Sequence, residues 1–247
     1  AAAQNVIKCC NRTGLNVADF VLEPLASADA TLTQEEKELG VALVDIGGGT
    51  TDIALYLGGS VKHTAVLGMG GNQLTNDIAA GLHAPITAAE QLKQRYGCVE
   101  TEMAHRNELL EVPSVGGRSP RSVSRQVLCE IIEPRLEEVF QLVRREIGRS
   151  GYKDQLLSGV VMTGGSTLLP GMIEMAERIF NVPVRQGVPT NITGLVDVVS
   201  SPVYATGTGL LLYGLGQQER SPFRIRDNDH LFCRVRGRMT EWFKEFF

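Results

Sequence analysis

The chain has 247 residues, 43% hydrophobic and 21% charged, with a formal net charge of −4. These values fit a soluble globular protein and exclude a basic, whole-surface nucleic-acid binder. No apolar run approaches the roughly 18–20 residues that cross a bilayer, and no charged-then-apolar leader opens the chain.

The sequence starts at Ala1, without an initiator Met, directly inside a helical pattern. We read this as an internal starting point, with part of the natural protein missing. Apolar spacing predicts a helix over Gln4–Asn11, closed by Gly14. Asp19–Leu22 is a short strand candidate. Glu23-Pro24 leads into a small-residue helix, Leu25–Leu32, and Thr33–Gly40 reads as an exposed, charged connection.

Val41–Ile46 predicts a buried strand ending near Asp45. A glycine turn follows, then strands over Thr51–Leu57 and Val61–Leu67 joined by Gly58-Gly59. Gly68–Gly71 is a further glycine turn. Asn72 is the expected N-cap of a helix reaching Leu82, and Thr87 that of a helix to Tyr96. Short strand-like pieces occupy Glu102–Gly117. A long helix starts at Ser122 or Ser124, and Pro134 inside it predicts a kink or break. Gly159–Met162 is a short strand, and Pro170-Gly171 opens a helix to Phe180. Pro202–Gly214 is an apolar helix. The polar, basic stretch 216–230 reads as a flexible linker, followed by an amphipathic segment, Leu231–Phe247.

Chemistry concentrates at two glycine turns. Asp45-x-Gly-Gly-Gly-Thr-Thr-x-Asp52 lies between two strands, which excludes both the P-loop and the dinucleotide fingerprint, since each opens a helix. Successive glycine amides in such a hairpin form an anion nest, suited to phosphate. Gly47, Gly48, Gly49, Thr50 and Thr51 are the candidate phosphate ligands. Asp45 is placed to hold a hydrated Mg²⁺ or to orient an attacking water. A plain tight hairpin is the competing reading. The second turn, Gly164-Gly165-Ser166, follows a buried strand and lets a flat adenine or ribose lie against backbone. A simple strand-to-helix connection competes with it.

The five cysteines, Cys9, Cys10, Cys98, Cys129 and Cys233, lack CxxC spacing. They predict small buried hydrophobes in a reducing cytosol, with neither a disulfide framework nor a zinc site. The four histidines lack metal-ligand spacing. In the last segment Phe232, Val235, Met239, Trp242, Phe243 and Phe246 share one helical face, with basic residues beside it. That pattern suits a helix lying in a membrane interface. A helix docked on the globular body has the same periodicity.

Together the glycine motifs resemble the phosphate and adenosine motifs of the actin/Hsp70/sugar-kinase superfamily, which implies an α/β, ribonuclease H-like fold. Glu23-Pro24-x-Ala-x-Ala28 resembles its first connecting helix, where the residue matching Glu23 positions water at the γ-phosphate. Gly70 and Gly71 match a further phosphate turn. Pro202-x-Tyr-Ala-Thr-Gly207 resembles the second connecting helix, and Glu90 with Lys93 the adenosine-side contacts. Within the superfamily, GVALVDIGGGTTDIAL, KHTAVLGMGGNQLTNDIA, EVPSVGGRSPRSVSRQ and NITGL resemble the FtsA family of bacterial cell division.

That resemblance implies a layout. Residues 1–40 are a remnant of subdomain 1A with the first connecting helix. Subdomain 2A takes 41–83 and 156–201, and subdomain 2B takes 84–155. The second connecting helix is 202–215, the linker 216–230 and the membrane-targeting helix 231–247. The first phosphate hairpin and subdomain 1C of the family do not precede Ala1. The resemblance further implies ATP and Mg²⁺ as cofactors, with at most slow hydrolysis. It implies polymerisation of the chain with itself and a place on the inner face of the cytoplasmic membrane at the division site. Expected partners are an anionic membrane surface, other division proteins and the C-terminal tail of FtsZ, with Arg118, Arg121 and Arg125 as candidates to meet the tail. No nucleic acid is expected. A PilM-like pilus adaptor or a sugar-kinase-type phosphotransferase is the alternative on the same fold.

Overall fold

The computed structural model describes residues 2–104, 107–114, 119–190, 192 and 199–220. Helix α1 spans Ala2–Arg12, and residues 13–22 have no regular structure, so the strand expected at Asp19–Leu22 does not form. Helix α2 spans Glu23–Thr31, with Pro24 in its first turn, where the missing N–H costs nothing.

The exposed connection expected at Thr33–Gly40 is instead helix α3, Gln34–Leu39. Thr33 and Glu36 form a reciprocal capping box, which satisfies two amides at the helix start. The Glu36 carboxylate also receives Nε and a terminal nitrogen of Arg185, both at 2.6 Å. Burial works against that charge, but the bonds from Arg185 and Thr33 outweigh it and hold the Glu36 carboxyl below its usual range.

Strands β1 (Val41–Ile46), β2 (Thr51–Leu57) and β3 (Ser60–Leu67) form an antiparallel meander. Strand β6 (Val160–Thr163) runs parallel to β1, and β7 (Val184–Gln186) parallel to β6. The sheet order is β3-β2-β1-β6-β7. Every residue of β1 is buried, as expected for a central strand covered on both faces. Alternation along the strands divides the core. Ala42, Val44, Ile46, Ile53 and Leu55 belong to the large cluster built with α4 (Gly71–Gly81), α6 (Arg125–Arg149) and α7 (Met172–Phe180). Val41, Leu43, Ala54, Tyr56 and Val161 form a second cluster with Ala28 of α2.

Helix α5 spans Ile86–Tyr96, and a small two-stranded sheet pairs β4 (Leu109–Val112) with β5 (Arg121–Ser124). Ser122 lies in β5, and the Ser124 hydroxyl caps α6. Helix α6 runs through Pro134 without interruption, so of the kink or break expected there the break does not occur. Eight buried residues, from Leu128 to Ile147, hold that helix by packing and offset the bond lost at the proline.

Cys98 and Cys129 are joined by a disulfide, which overturns the expectation of free, reduced cysteines there. The two lie 31 residues apart in sequence, and only the fold brings them together. Cys9 is exposed and Cys10 half-buried.

A short 3₁₀ turn, Pro202–Tyr204, leads into helix α8, Ala205–Arg220, so the expected linker is helical as far as Arg220. A Cβ on Gly209 would overlap the Ala26 carbonyl, so α8 and α2 cross with their backbones in contact. The chain divides after Leu212 into two units, and the described part of the second is the helical stretch 213–220. Among the described residues no helix is long and apolar enough to cross a membrane.

Candidate functional site

The β1–β2 turn, the start of α4 and the turn after β6 converge on one cavity of about 490 Å³. That volume lies within the range of small-molecule sites. Gly47, Gly48, Gly71, Asn72, Glu90, Lys93, Gln94, Gly165, Ser166, Leu168, Leu169 and Val203 line it. Seven of these come from the sequence-derived candidates. Asn72, Gln94, Leu168, Leu169 and Val203 were missed as site residues. Gln94 lies one helical turn from Glu90, and that spacing was the available signal.

Backbone pairing fixes the turns against one another. The Gly47 carbonyl accepts from the Gly71 amide at 2.9 Å and from the Ser166 hydroxyl at 3.1 Å. The Gly48 carbonyl accepts from the Asn72 amide at 2.7 Å. Gly70 makes this approach possible, because a Cβ there would stand 2.7 and 2.8 Å from the Gly47 and Gly48 carbonyl oxygens. The Gly47 amide closes the hairpin on the Thr50 carbonyl at 3.0 Å. Among the described residues the amides of Gly48 and Gly49 donate to no protein acceptor.

The two threonines are engaged inside the fold. The buried Thr51 hydroxyl donates to the Met69 carbonyl at 2.8 Å, and Thr50 donates to Asp52 at 2.8 Å. Neither lines the cavity, nor do Gly49, Gly70 and Gly164. Gly164 sits behind the wall and donates to the Pro202 carbonyl.

Helix α5 supplies the charged wall. Lys93 is buried, forms an ion pair with Glu90 at 2.8 Å, and donates to the Gly71 carbonyl and the Thr75 hydroxyl, both at 2.9 Å. Glu90 also accepts from Thr75 and Gln94. Burial opposes its charge, but the bonds from Lys93 and Thr75 and the Lys93 charge prevail, so its carboxyl is held below the usual range.

The acidic candidates stand apart from this lining. Asp45 is buried and accepts from Ser27 at 2.6 Å and from Thr206 at 3.4 Å. Burial, the largest influence, raises its pKa against the Ser27 bond, and the Asp52 charge adds to the rise. Exposed Glu23 is also raised, by partial burial and then by the charges of Asp52 and Asp45. The three carboxylates therefore share one field. Among the described residues no group of three His, Cys, Asp or Glu side chains has metal-site geometry.

Arg121 is bonded to the Leu82 carbonyl. Arg125 donates to the Tyr96 carbonyl and to Glu108, at 2.8 and 2.9 Å. Both guanidinium groups thus serve internal contacts. Arg118 and the face made by Phe232, Val235, Met239, Trp242, Phe243 and Phe246 lie outside the described residues.

Residues 42–209 match the family model described as "Cell division protein FtsA". The chain is 54% identical to cell division protein FtsA of Pseudomonas aeruginosa over 217 residues, covering 88% of this chain and 52% of that protein. Identity to FtsA of Escherichia coli is 46% over 219 residues, covering 86% and 52% respectively. The chain thus spans about half the length of these relatives. The fold is similar to that of MreB5 of Spiroplasma citri bound to ADP, with a TM-score of 0.71 at 16% identity over 88% of this chain and 66% of that one.

Proposed function

The chain belongs to the FtsA family, and from that premise we propose that it binds ATP in this cavity and serves as an actin-like cell-division adaptor. In this reading it polymerises on the inner face of the cytoplasmic membrane and tethers FtsZ filaments there. The observation that carries the nucleotide assignment is the cavity itself. It joins glycine backbone from three turns to the Glu90–Lys93 pair, and its volume suits a nucleotide. The MreB5 neighbour, which shares the fold, is bound to ADP.

Within this reading the Gly48 amide, on the cavity lining, meets phosphate oxygens, and Gly165 and Ser166 lie beneath the nucleoside. Helix α5 presents Glu90 and Lys93 to the same end. Asp45 would meet a hydrated divalent cation through water, since burial first and the Asp52 charge after it make its negative charge costly. Such an ion would offset phosphate charge. Glu23, exposed beside it, would position the attacking water. Hydrolysis is slow and the role is that of a scaffold. The apolar face of 231–247 supplies the membrane contact, weak for one copy and firm for a polymer of many.

The test is co-sedimentation of the full chain with phosphatidylglycerol-containing vesicles, given a fluorescent ATP analogue and a peptide of the FtsZ C-terminal tail. The full chain should pellet with both ligands, and a chain ending at residue 230 should keep the analogue yet stay in solution. Failure to bind the analogue removes the nucleotide assignment. Equal pelleting of both chains removes the membrane role of the tail.

A further inference from the structure

The Cys98–Cys129 bridge takes no part in the site just described, yet it grips one of its walls. Cys98 follows the end of α5 by two residues, and α5 carries Glu90, Lys93 and Gln94. Cys129 lies one turn into α6, next to the level of Arg125, which donates to the last carbonyl of α5 at 2.8 Å. Helix α6 therefore holds the end of α5 twice, by a hydrogen bond and by a covalent bond. Between the cysteines and the cavity, the Val99 amide donates to the Pro170 carbonyl at 2.9 Å, next to the cavity-lining Leu169.

We propose that Cys98 and Cys129 form a redox clasp, opened and closed by thiol–disulfide exchange, whose state sets how firmly α5 is held at the cavity wall. With glutathione disulfide as oxidant, one cysteine thiolate attacks a glutathione sulfur and expels one glutathione thiolate. The second cysteine thiolate attacks the protein sulfur of that mixed disulfide and expels the other. The two leaving thiolates take up the two protons lost by the cysteines. Excess glutathione reverses both steps.

The fold accommodates both states. The Cys98 sulfur lies 3.5 Å from the Glu100 carbonyl, so a reduced thiol finds an acceptor in place. Both cysteines are fully buried, and the 3₁₀ turn Thr101–Met103 begins three residues after Cys98. The Thr101 amide and hydroxyl donate to Glu133 at 3.1 and 2.5 Å, and Glu100 pairs with Arg178 at 2.6 Å. Exchange therefore proceeds through local opening of this latched segment.

The experiment uses the full chain with Cys9, Cys10 and Cys233 changed to Ser, equilibrated in a series of glutathione to glutathione-disulfide ratios. Alkylation in denaturant followed by mass spectrometry reads the bridged fraction, and amide hydrogen exchange reads the peptide over residues 86–99. The bridged fraction should pass from low to high across the series. Exchange in α5 should slow about tenfold in the closed state, and Cys129→Ser should abolish that dependence. A pair fixed in one state across the whole series, or α5 exchange that ignores the state, overturns the proposal. Neither readout needs a nucleotide, so a failure of the ATP assignment stays separate from a failure of the clasp.

Discussion

The cavity has two walls of different material. One is mostly backbone: the β1–β2 hairpin and the start of α4, locked by carbonyl–amide pairs, and the Gly164–Ser166 turn, joined to the hairpin by the Ser166 hydroxyl. The other is a cluster of side chains on α5, held by the Glu90–Lys93 pair and its hydroxyl and amide partners. Backbone pairs have fixed geometry and no titration, so that wall is rigid and insensitive to pH. The α5 wall owes its shape to a charge pair, so it adjusts to composition and to proton concentration.

The comparison breaks most completely at Gly70. In Gly70→Val the new Cβ meets two carbonyl oxygens and drives the hairpin from α4. Loss of ATP-analogue binding and about 3 kcal/mol of stability are expected, read by titration and by urea unfolding. A bound analogue with unchanged midpoint would show that the backbone wall is softer than its bonds imply.

Lys93→Met tests the other wall. It leaves Glu90 without its cation and takes one of two side-chain donors from the Gly71 carbonyl, which keeps the Thr75 hydroxyl at 3.1 Å. About 2 kcal/mol of stability should go, with an analogue affinity at least tenfold weaker. The Glu90 carboxyl, now held low, contributes stability that is present above its unfolded pKa and is lost as pH falls through the folded one. The variant's deficit should therefore shrink as the solution is acidified. A deficit that is constant with pH would assign the loss to packing rather than to the ion pair.

The smallest effect has the opposite sign. Burial raises the pKa of Asp45, so its charge costs stability at neutral pH, and that cost disappears as pH falls and the folded state takes up the proton first. Asp45→Asn should gain about 1 kcal/mol at neutral pH, with the gain fading towards acid, while binding of Mg²⁺–ATP weakens. Thermal melts at several pH values decide it, and a neutral-pH loss would mean that the Ser27 bond outweighs the burial cost.

Legibility followed the same division. The β1–β3 meander was readable because alternation and glycine turns are local signals. The Glu90–Lys93 pair was readable through the family resemblance, with the two residues one helical turn apart. Direction was not readable. Nothing in Gly-Gly-Gly-Thr-Thr says that the Gly47 amide closes the hairpin or that Thr51 turns to Met69. Helix α3 carried a legible capping box, Thr33 with Glu36, which the density of charge obscured. The disulfide depends on tertiary contact between α5 and α6, which spacing along the chain cannot reveal.

The sheet order also bears on colloidal behaviour. Its two margins are unequal, three residues of β7 at one side and eight of β3 at the other. Among the described residues nothing pairs with the outer edge of β3, which exposes Val61 and Val66. A long unpaired margin is a template for stray strand addition. Here the ladder shifts register between Leu55 and Tyr56, and Lys62 stands exposed beside Val61. An irregular margin bearing a cation is a poor template, so crowding of this chain on a surface need not end in β-aggregation.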